Sequence, residues 1–321
     1  MINIKHIVSA VPKNFLSEDT IINSVGKDSY KKIKNYTGFD KIHRLESHQS
    51  SEILINYTLE KFFEFSKINP QIIDSIIFAS HSRPSEMPIY AATLQSRYGL
   101  RNNIFCYDLP NGCTGFTNGL IQSYSLINSK IAKNVLLVCS DIHSKIVDEK
   151  NKNLLPVIAD GCSCIFIEKQ EKNIFHYDFG VDGLSNKSLQ ITTSNNQKKL
   201  EMDGIKVFEF AIKRVPKSLN EVSKTSKIKI KDIDLISLHQ PNKSIHDHLI
   251  KLLNIDEKKT ISCFQFGNTS CPSIPISISS NFGDKMINNK KVLFCGFGAG
   301  FLWSTVITKL NNTLVSKVYF V

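Results

Sequence analysis

Ile72-Ile73-Asp74-Ser75-Ile76-Ile77-Phe78-Ala79-Ser80 and Asp232-Ile233-Asp234-Leu235-Ile236-Ser237-Leu238-His239-Gln240 share one pattern, a short apolar run behind an aspartate. Runs of this kind without alternation mark strands buried on both faces, as in sheets covered by helices. The downstream segments also correspond. A helix-length stretch (about 88–98, and about 243–253) leads to a second short strand, Ile104-Phe105-Cys106-Tyr107 or Thr260-Ile261-Ser262-Cys263-Phe264. Next comes a turn of small residues, Asn111-Gly112-Cys113-Thr114-Gly115 or Gly267-Asn268-Thr269-Ser270-Cys271. A further helix-length stretch then reaches Val135-Leu136-Leu137-Val138-Cys139-Ser140 or Val292-Leu293-Phe294-Cys295-Gly296. Asp74 and Val135 lie 61 positions apart, and Asp234 and Val292 lie 58 apart. The spacing predicts two βαβαβ units, each with a mostly parallel sheet faced by helices. Ser163-Cys164-Ile165-Phe166-Ile167 and Leu302-Trp303-Ser304-Thr305-Val306-Ile307 are expected to close the halves. The boundary near 175–183 divides the chain into 1–174 and 175–321.

Composition sets the outer limits. The 321 residues are 41% hydrophobic and 21% charged, with only 15 Gly and 10 Pro, as in an ordinary globular protein. No apolar run approaches the roughly 18 residues needed to span a bilayer. The first residues lack a charged segment followed by a long apolar one, so a cytoplasmic location is expected. Cysteines at 106, 113, 139, 162, 164, 263, 271 and 295 form no CxxC pair and read as reduced thiols. Cys162-Ser163-Cys164 has no second pair with which to complete a zinc site. A formal charge of +11 favours an acidic partner. Nucleic acid is not expected, because interleaved aromatics and its recognition motifs are missing. A chain rich in Lys, Asn and Ile can also owe its charge to codon usage. His246-Asp247-His248 receives no role, since positions two apart on a helix do not face one ligand.

Three polar residues stand at strand ends. Cys113 comes after a strand and opens a helix, with Gly112 and Gly115 beside it. A thiol there faces the positive end of the helix dipole, which favours thiolate. His239 ends a strand in the second half, where parallel sheets carry their active residues. Asn268 stands at the corresponding end of the next strand. Taken singly, the three read as a buried thiol, a structural histidine and a turn residue. Packing of the halves about a pseudo-twofold axis would bring all three to one cleft.

Several segments resemble one family, the β-ketoacyl-acyl carrier protein synthase III enzymes within the thiolase-like condensing enzymes. Asp108-Leu109-Pro110-Asn111-Gly112-Cys113-Thr114-Gly115-Phe116 resembles the nucleophile segment, and His239-Gln240-Pro241-Asn242 the histidine motif. Phe266-Gly267-Asn268-Thr269-Ser270 with Ser273-Ile274-Pro275 resembles the asparagine motif. Gly296-Phe297-Gly298-Ala299-Gly300-Phe301-Leu302-Trp303 resembles the closing glycine-rich loop. Met202-Asp203-Gly204, Val207-Phe208 and Phe210-Ala211 resemble a further segment, so the similarity spans nearly the whole chain.

The resemblance implies a duplicated thiolase-like α/β fold in five layers, α/β/α/β/α, and a Cys-His-Asn acyltransferase acting without metal or redox cofactor. Cys113 would carry the acyl group, with the N–H groups of Cys113 and of Gly298-Ala299 at the oxyanion. His239 and Asn268 would bind the thioester carbonyl of a malonyl-type extender as CO₂ leaves. The expected product is a β-ketoacyl thioester of fatty acid or specialised acyl-chain biosynthesis. An acyltransferase moving the group from Cys113 to a hydroxyl or amine is the alternative, and a catalytically silent carrier-binding subunit is opposed by the intact triad. The resemblance further implies an acyl thioester substrate, an acyl carrier protein partner and a homodimer. Where acetyl-CoA users of the family clamp adenine with Trp and Arg, this chain has Lys32 and Tyr36, and 149–155 holds no downstream Arg. An acyl carrier donor gains weight accordingly. Met87, Phe297 and Asn242 are candidate substrate contacts, Met87 by way of the dimer partner. Lys213, Arg214 and Lys217 are candidate carrier-docking residues, and they suit a solvated helix face equally well.

Overall fold

Asp74 and Asp234, the aspartates that open the two apolar runs, make equivalent bonds. In each, Oδ2 accepts an N–H at the start of the neighbouring strand, from Asn134 at 2.9 Å and from Lys291 at 2.8 Å. The computed structural model describes residues 1–148, 150–194 and 197–321. Glu149, the first residue of the stretch 149–155 that holds no arginine, lies outside the described residues.

The first half contains β1 (Ile2–Val11), α1 (Glu18–Val25), α2 (Lys27–Thr37), α3 (Glu52–Ser66), β2 (Ser75–Ala79), α4 (Tyr90–Arg97), β3 (Phe105–Leu109), α5 (Gly115–Asn128), β4 (Asn134–Asp141) and β5 (Gly161–Lys169). The second contains β6 (Phe175–Val181), a β7–β8 hairpin (Leu189–Ser194, Gln197–Met202), α6 (Gly204–Ser226), β9 (Leu235–Leu238), α7 (Lys243–Leu252) and α8 (Ser273–Phe282). It ends with β10 (Lys285–Ile287), β11 (Lys290–Gly298), β12 (Leu302–Leu310) and β13 (Thr313–Phe320). Among these residues no helix is long and apolar enough to cross a membrane.

The two sheets repeat each other. In the first, β2 runs parallel to β3 and β4, and β4, β5 and β1 continue as antiparallel neighbours. In the second, β9 runs parallel to β11, and β11, β12 and β6 continue as antiparallel neighbours. The expected strand at 260–264 is reduced to one parallel bridge between Thr260 and Ile236. Side chains replace its ladder. Gln240 Oε1 accepts the Cys263 N–H at 2.9 Å, and Ser237 Oγ donates to the Ile261 carbonyl at 3.1 Å.

One connection crosses the expected boundary. β13 pairs with β1 in parallel and β10 pairs with β13, so the first sheet has seven strands and the second four. Residues 285–287 and 313–320 thus complete a sheet whose other strands all precede residue 170.

Pleating distributes the apolar runs between layers. On β4, Val135, Leu137 and Cys139 face inward with α5 and α8, while Leu136 and Val138 face α3 and α4. On β11, Val292 and Phe294 join that same inner cluster, while Leu293, Cys295 and Phe297 face α6 and α7. Because alternate side chains point to opposite faces, every position of a two-sided strand is apolar. The layers are α3/α4, first sheet, α5/α8, second sheet and α6/α7, the five-layered thiolase-like order. Full burial of a Phe or Leu contributes about 1.5–3 kcal/mol, and Phe116, Phe294, Leu120 and Leu137 anchor the middle layer.

Candidate active site

The nucleophile loop is a tight turn between β3 and α5. The Gly115 N–H bonds the Gly112 carbonyl at 2.7 Å, and Asn111 Nδ2 donates to Thr114 Oγ1 at 3.1 Å. Asp108 secures the strand end by accepting the Tyr90 and Ala91 N–H groups at 2.8 and 2.9 Å. Cys113 remains partly exposed. The closing loop meets it from the second half. A Cβ on Gly298, whose φ is 149°, would lie 2.8 Å from Cys113 Sγ, so only glycine permits this approach. The Ala299 N–H favours negative charge on the sulfur.

The electrostatics correct one expectation. Burial pushes the Cys113 thiol pKa up, and the nearby Asp141 carboxylate adds to the rise. The Ser270 hydroxyl, His81 and the Ala299 N–H pull it back only in part. Lost hydration outweighs these three influences and favours the thiol form.

His239 is fixed on three sides. Its N–H bonds the Cys295 carbonyl at 2.8 Å, its Nδ1 lies 2.7 Å from Ser273 Oγ, and its ring meets Phe297 edge-on at 5.5 Å. Burial pushes its pKa down to about 3, so it is neutral at physiological pH. A Ser273 hydroxyl donating to Nδ1 leaves the proton on Nε2, which can donate to a substrate. Phe297, a candidate substrate contact, is fully buried against this ring.

Asn268 is fixed just as firmly. Its N–H bonds the Val157 carbonyl and its carbonyl accepts the Ala159 N–H, each at 2.9 Å. Its Oδ1 accepts the Ser270 N–H at 2.9 Å, which commits the acceptor end and leaves the Nδ2 donors without a partner among the described residues. The next contact joins the halves: Ser270 Oγ lies 3.5 Å from Cys113 Sγ. The loops carrying Cys113 and Asn268 therefore meet, and Gly298, next to the Phe297 that packs on His239, lies against Cys113.

Asn242 caps α7, its Oδ1 accepting the Ile245 N–H at 2.8 Å, and also lines a cavity of about 710 Å³. Tyr36, Lys152, Met202, Phe208 and Asn268 line the same cavity, which makes it an apolar-walled approach to the asparagine. Lys32 lies exposed one turn before Tyr36 on α2. Met87 is 92% exposed. Lys213, Arg214 and Lys217 sit farther along α6, where Arg214 stacks over Trp303 at 5.0 Å and lies 3.7 Å from Asp182.

Three residues beside the nucleophile carry no signal in the sequence reading. Asp141, fully buried at the end of β4, accepts the Cys271 N–H at 3.1 Å and thereby ties β4 to the asparagine loop. His81 and His143 stand 3.0 Å apart, Nε2 to Nε2. With Asp141 they bring donor atoms within 4.8 Å, a spacing that suits a cation. However, Asp141 Oδ1 already accepts from Ser80 Oγ, Ser82 Oγ and the His81 N–H at 3.0–3.2 Å, so the group is knit by hydrogen bonds. Lone histidines form no motif; the one clue is a place just beyond β2 or β4, at the active edge of the sheet.

Known proteins resemble this chain over most of its length. Residues 107–183 match the family described as 3-Oxoacyl-[acyl-carrier-protein (ACP)] synthase III, and residues 223–310 match its C-terminal counterpart. A β-ketoacyl-[acyl-carrier-protein] synthase III of Streptococcus agalactiae is 31% identical over 293 residues, covering 87% of this chain and 90% of that protein. One from Clostridium tetani is 32% identical over 300 residues, covering 86% and 89%. The crystal structure of a 3-oxoacyl-(acyl-carrier protein) synthase from Burkholderia xenovorans superposes with a TM-score of 0.94 at 22% identity, over 100% of this chain and 97% of that one.

Proposed function

The chain belongs to the β-ketoacyl-acyl carrier protein synthase III family, and on that premise we propose that it joins an acyl thioester to a malonyl thioester with loss of CO₂. The observation that carries the assignment of roles is the contact across the halves. The asparagine loop touches the nucleophile through Ser270, while Gly298 and Ala299 cover it from the closing loop.

Cys113 sulfur attacks the acyl carbonyl, the N–H groups of Cys113 and Ala299 hold the oxyanion, and the donor thiol leaves. The malonyl carbonyl then accepts hydrogen bonds from His239 Nε2 and Asn268 Nδ2. Those donors stabilise the enolate left by CO₂, and the enolate attacks the acyl-Cys113 carbonyl, breaking its C–S bond to give a β-ketoacyl thioester and the Cys113 thiolate. Both steps balance in atoms and charge without a metal or redox cofactor. A free Asn268 amide favours condensation over transfer to a hydroxyl or amine, because simple transfer generates no enolate to stabilise.

The cavity wall of Tyr36, Lys152 and Asn242 suits the arm of a thioester donor, and the +11 charge suits an acidic acyl carrier protein. Lys213 and Lys217 are the docking candidates on α6, with Arg214 shared between the carrier and Trp303. β3, an edge strand bearing the half-exposed Phe105, and the protruding Met87 support a homodimer across that edge. Eight free cysteines support a reducing, cytoplasmic setting.

The decisive experiment supplies a panel of acyl thioesters and then malonyl-carrier. A mass increment on Cys113, then CO₂ release with a β-ketoacyl product, is expected. Acylation elsewhere, or its persistence in Cys113→Ala, would overturn the assignment of the nucleophile.

A further inference from the structure

A thiol form favoured by burial needs a base, and His239 is poorly suited, since burial pushes its pKa down to about 3 and Ser273 engages its Nδ1. The histidine pair beside the nucleophile has the required geometry. His143 Nδ1 lies 2.7 Å from the Ala159 carbonyl oxygen, which can only accept, so Nδ1 carries the proton. Burial pushes the His143 pKa down to about 4, leaving Nε2 a bare lone pair. The atom facing it at 3.0 Å is His81 Nε2, which must therefore be the donor. In neutral His81 the remaining lone pair is on Nδ1.

That lone pair is turned toward the nucleophile loop. A Cβ on Gly112 would collide with His81 Nδ1 and lie 3.0 Å from Ser270 Oγ, so glycine lets imidazole and hydroxyl close on the residue next to Cys113. Ser270 Oγ in turn lies 3.5 Å from Cys113 Sγ, so imidazole, hydroxyl and thiol gather around one turn. The surroundings can balance the charge that an imidazolium would bring during turnover. Asp141 Oδ1 is 3.7 Å from His81 Nε2 and His143 is a neutral acceptor, while the Arg44 guanidinium acts on His143 as well.

We propose that His81 is the general base of acyl loading, taking the Cys113 proton on Nδ1 as the sulfur attacks. The S–C bond to Cys113 forms, the S–C bond of the donor breaks, and the proton passes from His81 to the departing sulfur. Thiol and thioester thus become acyl-Cys113 and free thiol with nothing left over. The proposal rests on Cys113 being the nucleophile. It divides labour between two histidines: His81 for loading, His239 for condensation.

The test measures alkylation of Cys113 by iodoacetamide across a pH series, by peptide mass, beside acyl loading and CO₂ release from pre-acylated protein. His81→Gln keeps an N–H for His143 but cannot take a proton. Its alkylation profile is expected to move to higher pH, and loading near neutrality to fall about 10²-fold. CO₂ release from pre-acylated protein should be unchanged. His143→Leu, which removes only the acceptor, should give a smaller loss in the same step and serves if His81→Gln does not fold. An alkylation profile and loading rate indifferent to both substitutions would overturn the proposal. So would a chelator that slows loading as much as His81→Gln does, since the cluster would then be a metal site. If wild-type Cys113 resists alkylation altogether, the nucleophile assignment falls as well, which separates that failure from failure of the base.

Discussion

Replacing Asn268 by aspartate separates two things the side chain does. Its Oδ1 accepts the Ser270 N–H at 2.9 Å, while its Nδ2 is free to donate. Asn268→Asp preserves the acceptor, so Ser270 and its contact with Cys113 stay in place, but removes the donor. Loss of one donor to a developing oxyanion costs about 2.7–4 kcal/mol, or about 10²–10³ in rate. A carboxylate facing an enolate adds repulsion, so this is a lower bound. Asn268→Ala differs, because it leaves the N–H of the buried Ser270 without a partner, at about 1–3 kcal/mol, and loosens the hydroxyl beside the thiol. Aspartate should therefore load acyl groups at the wild-type rate and fail in condensation, while alanine should be impaired in both. Single-turnover CO₂ release from pre-acylated protein, with loading measured by mass, reads the two steps apart. Decarboxylation by Asn268→Asp within about threefold of wild type, or equal loss of both steps, would refute the donor role.

Two further outcomes concern the histidines. Ser273→Ala removes the partner of His239 Nδ1 and frees the tautomer, at about 1 kcal/mol or roughly fivefold in CO₂ release. Loading should be unaffected, Ser273→Thr should restore the rate, and an unchanged Ser273→Ala would remove the hydroxyl from the mechanism. His239, His143 and His6 are held neutral by burial, with pKa values of about 3, 4 and 4 against 6.5 when unfolded. The unfolded chain binds protons that the folded chain refuses, so their contribution to stability is full above 6.5 and is lost on acidification toward 3–4. Each contributes a slope of up to about 1.4 kcal/mol per pH unit in that window. Urea unfolding at a series of pH values should show His6→Gln flattening the slope by that amount; an unaltered slope would mean that His6 titrates alike in both states.

The duplication was legible because two-sided burial forces continuous apolar runs, and because the aspartate before each run has the same partner in both halves. Cys113 and His239 were legible as residues just beyond strands on that frame, and Asn268 as their counterpart in a turn of small residues. Nothing local announces that β13 returns to β1, since parallel pairing between chain ends leaves no short-range pattern. The strand expected at 260–264 failed for a related reason: Gln240 and Ser237 side chains supply bonds that a ladder would otherwise make. The depressed thiol pKa expected from a helix terminus reversed because hydration, lost to packing from the other half, cannot be read from one segment. His81, His143 and Asp141 stayed hidden because their relation is one of contact across strands.

The return of β13 to β1 has a consequence for how the protein can be cut or fused. A fragment ending before Thr313 leaves one flank of β1 bare from His6 to Val11 and strands β10, exposing a ladder of N–H and C=O groups that invites other chains to dock. Dissecting the molecule at the midpoint between its repeats would thus yield a sticky first piece, whereas a tag beyond Val321 leaves that seam closed.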